Sequence, residues 1–411
     1  MDAFMDDGGR LVLPPDAAAR WGLVPGARVH LEETAVALQF GMPAGHLAKL
    51  YVEPTNCCNL TCRTCVRNLW DEPLGHMSAD VFTRLLSGLS DFSPPPSIFF
   101  GGIGEPLSHP RIADMVAGVK ALGCTVELIT NGTLLTSALG CQLVEAGLDR
   151  LWVSLDGARP ESYADVRLGA ALPTVLANLA RFRDSRRRGH NPKPEIGIAF
   201  VAMRRNIDDM PQLLHIADRL GATQFMATNV LPYSAELRGE ILYEGATTEI
   251  AYLRSPWVPR ANLPKMDIDS TTRSALYGAL RSSRNITFAG MDLGAANDHC
   301  PFIERGAGVV GWDGAVSPCL PLLHTHSSYL DQRQRTSRRY VVGNVLEQGL
   351  AELWRAPEHI AFRERVQRFS FSPCTSCGGC GLSLSNEEDC VGNGFPTCGG
   401  CLWAQGVIQC P

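Results

Sequence analysis

The chain has 411 residues, is 45% hydrophobic and carries a formal net charge of −5, as a soluble globular protein of two or three domains does. That charge argues against general affinity for nucleic acid or anionic membrane, and no apolar run approaches membrane-spanning length. Met1–Asp7 lacks the basic and apolar regions of a secretory signal, so a cytoplasmic location is expected. Fifteen cysteines, four within 57–65 and seven within 374–410, are therefore read as metal ligands rather than disulfides. Cys124 and Cys141 stand apart and read as small core residues.

Residues 1–45 read as a small β-rich unit. Residues 10–14 form a strand-like run, 16–22 a short helix, and 23–31 a turn followed by an alternating strand. The pattern of residues 9–33 resembles the swapped hairpin of AbrB-like proteins. That resemblance implies dimerisation and DNA binding. Basic residues are sparse here and Glu32 and Glu33 follow the last strand, which favours a docking or dimerisation role.

From 46 to 231 the pattern alternates strand, loop and helix. Strands are predicted at 47–53, 97–100, 124–130, 150–155, 195–201 and 223–230. Helices are predicted near 79–90, 109–122, 136–146, 173–187 and 208–220, with Ser78 and Thr136 as N-caps. Such alternation means parallel strands with crossover helices. Six units are too few for an eight-fold barrel, so the α/β fold class expected is a partial, open (β/α)6 barrel. Its active site belongs on the loops after the strands. Residues 232–295, with Pro256-Trp257-Val258-Pro259, read as a bridge over the barrel mouth. Residues 296–411 are Gly- and Cys-rich with one helix near 347–368, so metal would serve as the cross-link.

The polar clusters fall after successive strands. Cys58, Cys62 and Cys65 follow the first, with three residues in the first gap and two in the second. A cubane cluster takes four thiolates, so three leave one iron open. The spacing also admits zinc with Cys57 as a fourth ligand. Gly101-Gly102-Ile103-Gly104-Glu105-Pro106 follows the second strand, where glycines let a ligand approach backbone and Glu105 could pair with an ammonium. Thr130-Asn131-Gly132 follows the third, and Ser154-Leu155-Asp156-Gly157, then Arg167, the fourth. Asp156 reads as a turn residue.

Together these motifs closely resemble the radical SAM superfamily over about 47–231. The resemblance implies that Cys58, Cys62 and Cys65 ligate a [4Fe–4S] cluster whose open iron binds S-adenosylmethionine (SAM). Gly101, Gly102 and Glu105 would hold the SAM amine, Ser154 and Arg167 would lie near its carboxylate and ribose, and the Val230 backbone near adenine. The family often has an aromatic residue before the third cysteine, whereas this chain has Thr64.

In the tail, Cys300, Gly314 and Cys319 resemble the opening of a SPASM domain, and Gly343-Asn344-Val345 with Leu353-Trp354 its middle. Cys374, Cys377, Cys380, Cys390, Cys398, Cys401 and Cys410 follow, so nine thiols lie between 300 and 410 where two four-ligand clusters need eight. By spacing alone, zinc knuckles remain open for Cys374/Cys377 and Cys398/Cys401. The resemblance implies two auxiliary [4Fe–4S] clusters. Some relatives carry an acidic base beside an auxiliary-cluster cysteine; here Leu320 follows Cys319, so Asp313, His324 and His326 are the nearest proton acceptors. The cysteine blocks 54–77 and 374–411 resemble a subgroup described as metalloenzyme maturases, some associated with tungsten-cofactor oxidoreductases. The implied reaction is reductive cleavage of SAM to a 5′-deoxyadenosyl radical that takes hydrogen from a protein, peptide or metal-cofactor precursor. An external donor such as ferredoxin or flavodoxin would supply the electron. The alternatives are a peptide-modifying SPASM enzyme and, from another class, an iron–sulfur redox-sensing DNA-binding regulator.

Overall fold

The computed structural model describes residues 3–24, 27, 29, 31–33, 38–188, 193–248, 259–282, 285–288, 291–292, 300–330, 332–377 and 379–411. Six strands form the barrel: β1 (Lys49–Val52), β2 (Ser97–Phe100), β3 (Val126–Thr130), β4 (Arg150–Ser154), β5 (Glu195–Ala202) and β6 (Gln224–Asn229). They pair in parallel in sequential order. Crossover helices α1 (Ala79–Leu89), α2 (Ile112–Lys120), α3 (Ser137–Glu145), α4 (Leu172–Arg188) and α5 (Met210–Leu220) lie near their predicted places. Ser78 accepts from the Val81 N–H and Thr136 from the Leu139 N–H at 3.2 Å each, so both cap their helices. Pro160–Val166 is an additional short helix.

Strand side chains alternate between two cores. Leu50, Val52, Ile98, Phe100, Val126, Leu128, Leu151 and Val153 pack outward against the helices. Tyr51, Phe99, Trp152 and Ala199 face inward and pack with Phe302, Ile303, Leu322 and Phe362 of the tail. Each fully buried side chain of this size contributes about 1.5–3 kcal/mol. The tail thus fills the concave face of the barrel.

It also extends the sheet. β7 (Ala307–Val310) pairs in parallel with β1, in the register Val309 to Tyr51; β8 (Ala315–Ser317) and β9 (Gly343–Asn344) continue it antiparallel. The order is therefore β6-β5-β4-β3-β2-β1-β7-β8-β9. The single helix expected near 347–368 is two, Leu350–Arg355 and Pro357–Arg368. Pro357 breaks it: the residue before a proline is pushed out of the helical region, and Ala356 sits at φ −55°, ψ 134°.

At the N-terminus, Phe4–Met5 pairs with Leu11–Val12 and Leu31–Glu33 with Leu38–Phe40, around a helix at Pro15–Arg20. Of the bridge, Pro256-Trp257-Val258 lies outside the described residues. Its first part packs Tyr243 against Leu402, Val407 and Ile408 of the tail. Cys124 is buried as expected. Cys141 is exposed, because its position on α3 turns it from the face that buries Gly140 and Leu143. Among the described residues, no helix is long and apolar enough to cross a membrane.

Candidate active site

The loops after β1 to β4 converge on a cavity of about 210 Å³. Cys58, Cys62, Cys65, Thr64, Gly102, Glu105, Asn131, Ser154 and Arg167 all line it. Gly101 does not; a Cβ there would run into the Phe99 ring and Ile129. Val230 does not either. It is fully buried, and its carbonyl accepts the Tyr243 hydroxyl at 3.2 Å. Tyr233, three residues on, lines the cavity instead. It supplies an aromatic wall that Thr64 does not.

Cys57 stands apart from the triplet. Its thiol donates toward the Gly75 carbonyl at 3.7 Å and does not line the cavity. Cys58 and Cys62 are pushed up by burial. The Leu60 N–H at 3.4 Å opposes the shift at Cys58, and Arg167, 3.9 Å from the sulfur, opposes it at Cys62. A positive metal centre would favour both thiolates further. The loop is positioned by Arg63, which donates to the Asp165 carbonyl, and by Arg67, which donates to the Leu60 carbonyl.

Glu105 is 2% exposed, and burial pushes its carboxyl up. Its oxygens accept the Leu107 N–H, the Thr130 hydroxyl and the Asn131 N–H, at 3.0, 2.6 and 2.7 Å. It stitches the glycine loop to the β3 turn. A carboxylate has about four acceptor positions, so one stays free for an ammonium. Arg167 is held by Asp156, Nε to Oδ2 at 2.6 Å, while Asp156 Oδ1 accepts the Val201 N–H. Burial works against the Arg167 cation, but Asp156 and the Cys62 sulfur outweigh it. Asp156 is thus more than a turn residue: it aims a cation across the cavity at Cys62.

Behind the glycine loop lies a group that sequence reasoning did not join. Glu53, fully buried at the end of β1, accepts the Ile103 N–H at 3.0 Å. Gly102 has φ +133°, and a Cβ there would lie 2.7 Å from Glu53 Cγ, so only glycine fits. His324 from the tail places Nε2 3.0 Å from Glu53 Oε2 and Nδ1 2.6 Å from Glu72 Oε2. Burial lowers its affinity for a proton, but the two carboxylates reverse this and the net shift is upward. Both ring nitrogens of His324 thus face carboxylate oxygens, an arrangement that ties Glu53 to Glu72 as a clamp and leaves neither nitrogen turned to the barrel cavity. Asp313 is a turn residue: it accepts the Ala315 N–H and pairs with Arg339 at 2.7 Å, and it lines neither the barrel cavity nor that of the tail. His326 keeps a low proton affinity through burial and packs edge-on to Tyr233 at 5.8 Å.

The tail sorts its thiols into two groups and a remainder. Cys300, Cys319, Cys398 and Cys401 line one cavity of about 50 Å³. Burial first, then mutual repulsion, raises the pKa of the first three, that of Cys300 to about 12. Cys374, raised by burial, also feels Cys380 and Cys390, and Cys377 lies one turn from Cys374 on the same helix. Cys410 lines a different cavity with Lys49, Tyr51 and Arg305, and accepts the Trp403 indole N–H at 3.3 Å. Among the described residues, no three candidate ligands meet at a single point; the thiols surround volumes.

Residues 52–215 match the radical SAM superfamily, and residues 300–381 match SPASM, an iron–sulfur cluster-binding domain. The tungsten-containing aldehyde ferredoxin oxidoreductase cofactor-modifying protein of Pyrococcus furiosus is 32% identical over 370 residues, spanning 88% of this chain and 96% of that one. The chain belongs to the radical SAM superfamily. A PqqA peptide cyclase of Streptomyces rochei is 27% identical over 220 residues, 52% of this chain and 56% of that one. Among solved structures, anSMEcpe with bound AdoMet aligns with a TM-score of 0.51 at 17% identity, covering 82% of this chain and 84% of that one, which bears on the fold. The protein is an enzyme of the radical SAM type with a SPASM domain. Its cofactors are a [4Fe–4S] cluster, SAM and auxiliary clusters in the tail.

Proposed function

We propose that this enzyme matures a metalloenzyme by modifying its metal cofactor, with a tungsten-cofactor precursor as the substrate. The observation that carries the catalytic reading is the single cavity at which Cys58, Cys62, Cys65, Gly102, Glu105, Ser154 and Arg167 meet. The substrate follows from the Pyrococcus furiosus relative, which this chain matches over nearly its whole length. Three thiols on one wall, and Cys57 turned away, fit a cluster with one open iron.

Bound there, the cluster supplies an electron to the SAM sulfonium. The chain's own residues do the rest. Cys58, Cys62 and Cys65 hold the cluster. Glu105 and the carbonyls around Gly102 take the SAM ammonium, Arg167 its carboxylate, and Ser154 and Tyr233 bound the nucleoside. Cys300, Cys319, Cys398 and Cys401 serve as ligands of one auxiliary cluster, Cys374, Cys377, Cys380 and Cys390 of the other, and Cys410 is the ninth thiol. Ferredoxin or flavodoxin supplies the electron.

The test is mass spectrometry of tungsten cofactor incubated anaerobically with reconstituted enzyme, SAM and reductant. A mass change that needs both enzyme and SAM is expected; a cofactor of unaltered mass beside a modified peptide establishes the second reading, a peptide substrate, which the peptide cyclase relative favours. The regulator reading requires salt-sensitive DNA binding without SAM turnover.

A further inference from the structure

One buried group in the tail lacks the partner its charge requires. Arg335 is 4% exposed, on the hairpin of His326–Leu330 with Arg333–Ser337. Its Nη1 donates to the Ser383 carbonyl at 2.6 Å, and among the described residues no carboxylate pairs with it. A guanidinium does not escape burial by losing its proton, and a buried charge without a counter-ion is strongly destabilising.

The surroundings name the missing anion. Arg335 lines the cavity formed by Cys300, Cys319, Cys398 and Cys401. Burial disfavours its charge, and Cys374, Cys401 and Cys398, drawn from both thiol groups, oppose that without reversing it. The guanidinium lies against the turn between Cys398 and Cys401: a Cβ on Gly400 would stand 2.7 Å from its Cζ and 2.8 Å from Nη1. A side chain at 400 would therefore push the cation away from that turn. Arg365 also acts on Cys398, but its guanidinium is spent on the Gly394 and Pro396 carbonyls.

We propose that Arg335 is the shared counter-ion of the two auxiliary clusters and holds their reduction potentials up. The proposal rests on the reading that both thiol groups carry clusters. A thiolate-ligated cluster is anionic and gains a further negative charge on reduction. A fixed cation in a water-poor site stabilises the reduced form more than the oxidised one. Arg335 lies against the Cys398–Cys401 turn and donates to the Ser383 carbonyl, while the Ser383 hydroxyl donates to the Cys380 carbonyl at 2.7 Å, so one cation stands beside both groups and both potentials respond to it.

The experiment is a redox titration followed by electron paramagnetic resonance on the anaerobically reconstituted full chain, without SAM or substrate, with iron measured in parallel. Arg335→Gln keeps a donor for Ser383 and loses the charge. Both auxiliary signals should move to more negative potential by at least tenfold in the reduction equilibrium, about 59 mV for one electron, while the signal of the cysteine-triplet cluster stays in place. Arg335→Lys should restore most of the shift. Wild-type potentials in Arg335→Gln with full iron, or an equal shift in both variants, would overturn the proposal. If Arg335→Gln sheds tail iron, Arg335→Lys decides: retained iron supports a charge requirement, and the same loss refutes it. Wild-type protein without auxiliary signals would refute the underlying reading instead, and the proposal with it.

Discussion

The barrel takes its three thiols from one short loop, Cys58 to Cys65, and faces them into a cavity of about 210 Å³ shared with Glu105, Ser154 and Arg167. The tail draws Cys300 and Cys319 together with Cys398 and Cys401 from distant parts of the chain, around about 50 Å³. The first arrangement is a reaction site, where a ligand must reach the metal. The second suits a cross-link: Cys300 and Cys319 are buried, Cys398 and Cys401 half-buried, and a cluster on them would tie these distant segments together. An iron–sulfur centre is shaped by what else must touch it. In the barrel that is SAM, in the tail the polypeptide itself.

Cys398→Ala separates the two most sharply. It should strip iron from the tail and end substrate modification, while SAM cleavage by the barrel continues uncoupled. Iron content and 5′-deoxyadenosine assays check this; loss of cleavage as well would mean that the regions do not act separately.

The seam between them is the next target. His324→Ala leaves the Glu53 carboxylate buried without its partner, at a cost of about 3–5 kcal/mol. The sign with pH follows from the raised pKa of His324. Its stabilisation is complete below the unfolded histidine value of about 6.5 and is lost as pH rises through the higher folded value. Melting temperatures across pH should therefore show a fall on the alkaline side in the wild type that His324→Gln lacks. An equal fall in both would place the clamp elsewhere.

Most of this geometry was legible in the chain. The strand–helix alternation of 46–231 and the caps at Ser78 and Thr136 follow from local periodicity, and the structure repeats them. The polar residues after β1 to β4 were legible for the same reason: in parallel α/β architecture, strand ends share one face. What was hidden is long-range. β7 is four residues of buried Ala-Gly-Val-Val, too short to show a period, and its pairing with β1 joins segments far apart in sequence. His324 meets Glu53 and Glu72 across the same distance, and no local signal foretells a three-way contact. Tyr233 carries only a weak signal, as an aromatic just beyond the last strand, and the family resemblance points to Val230 instead.

Within the barrel, Asp156→Asn weakens the hold on Arg167 and should raise the KM for SAM about tenfold with little change in kcat. An unchanged KM would show that Arg167 acts without its anchor. The smallest effect is expected from Cys410→Ser. This thiol lies outside both tail groups, so the iron content should match the wild type. A drop would bring Cys410 into the ligand set and reopen the assignment of the other eight.

The central claim is that Cys58, Cys62 and Cys65 alone form the SAM-cleaving centre. Its most direct test is the yield of 5′-deoxyadenosine and methionine from anaerobically reconstituted Cys58→Ala with SAM and a strong reductant. The account predicts no cleavage above background, with roughly one-third of the iron lost and the tail's share retained. Cleavage at the wild-type rate in that variant would contradict it.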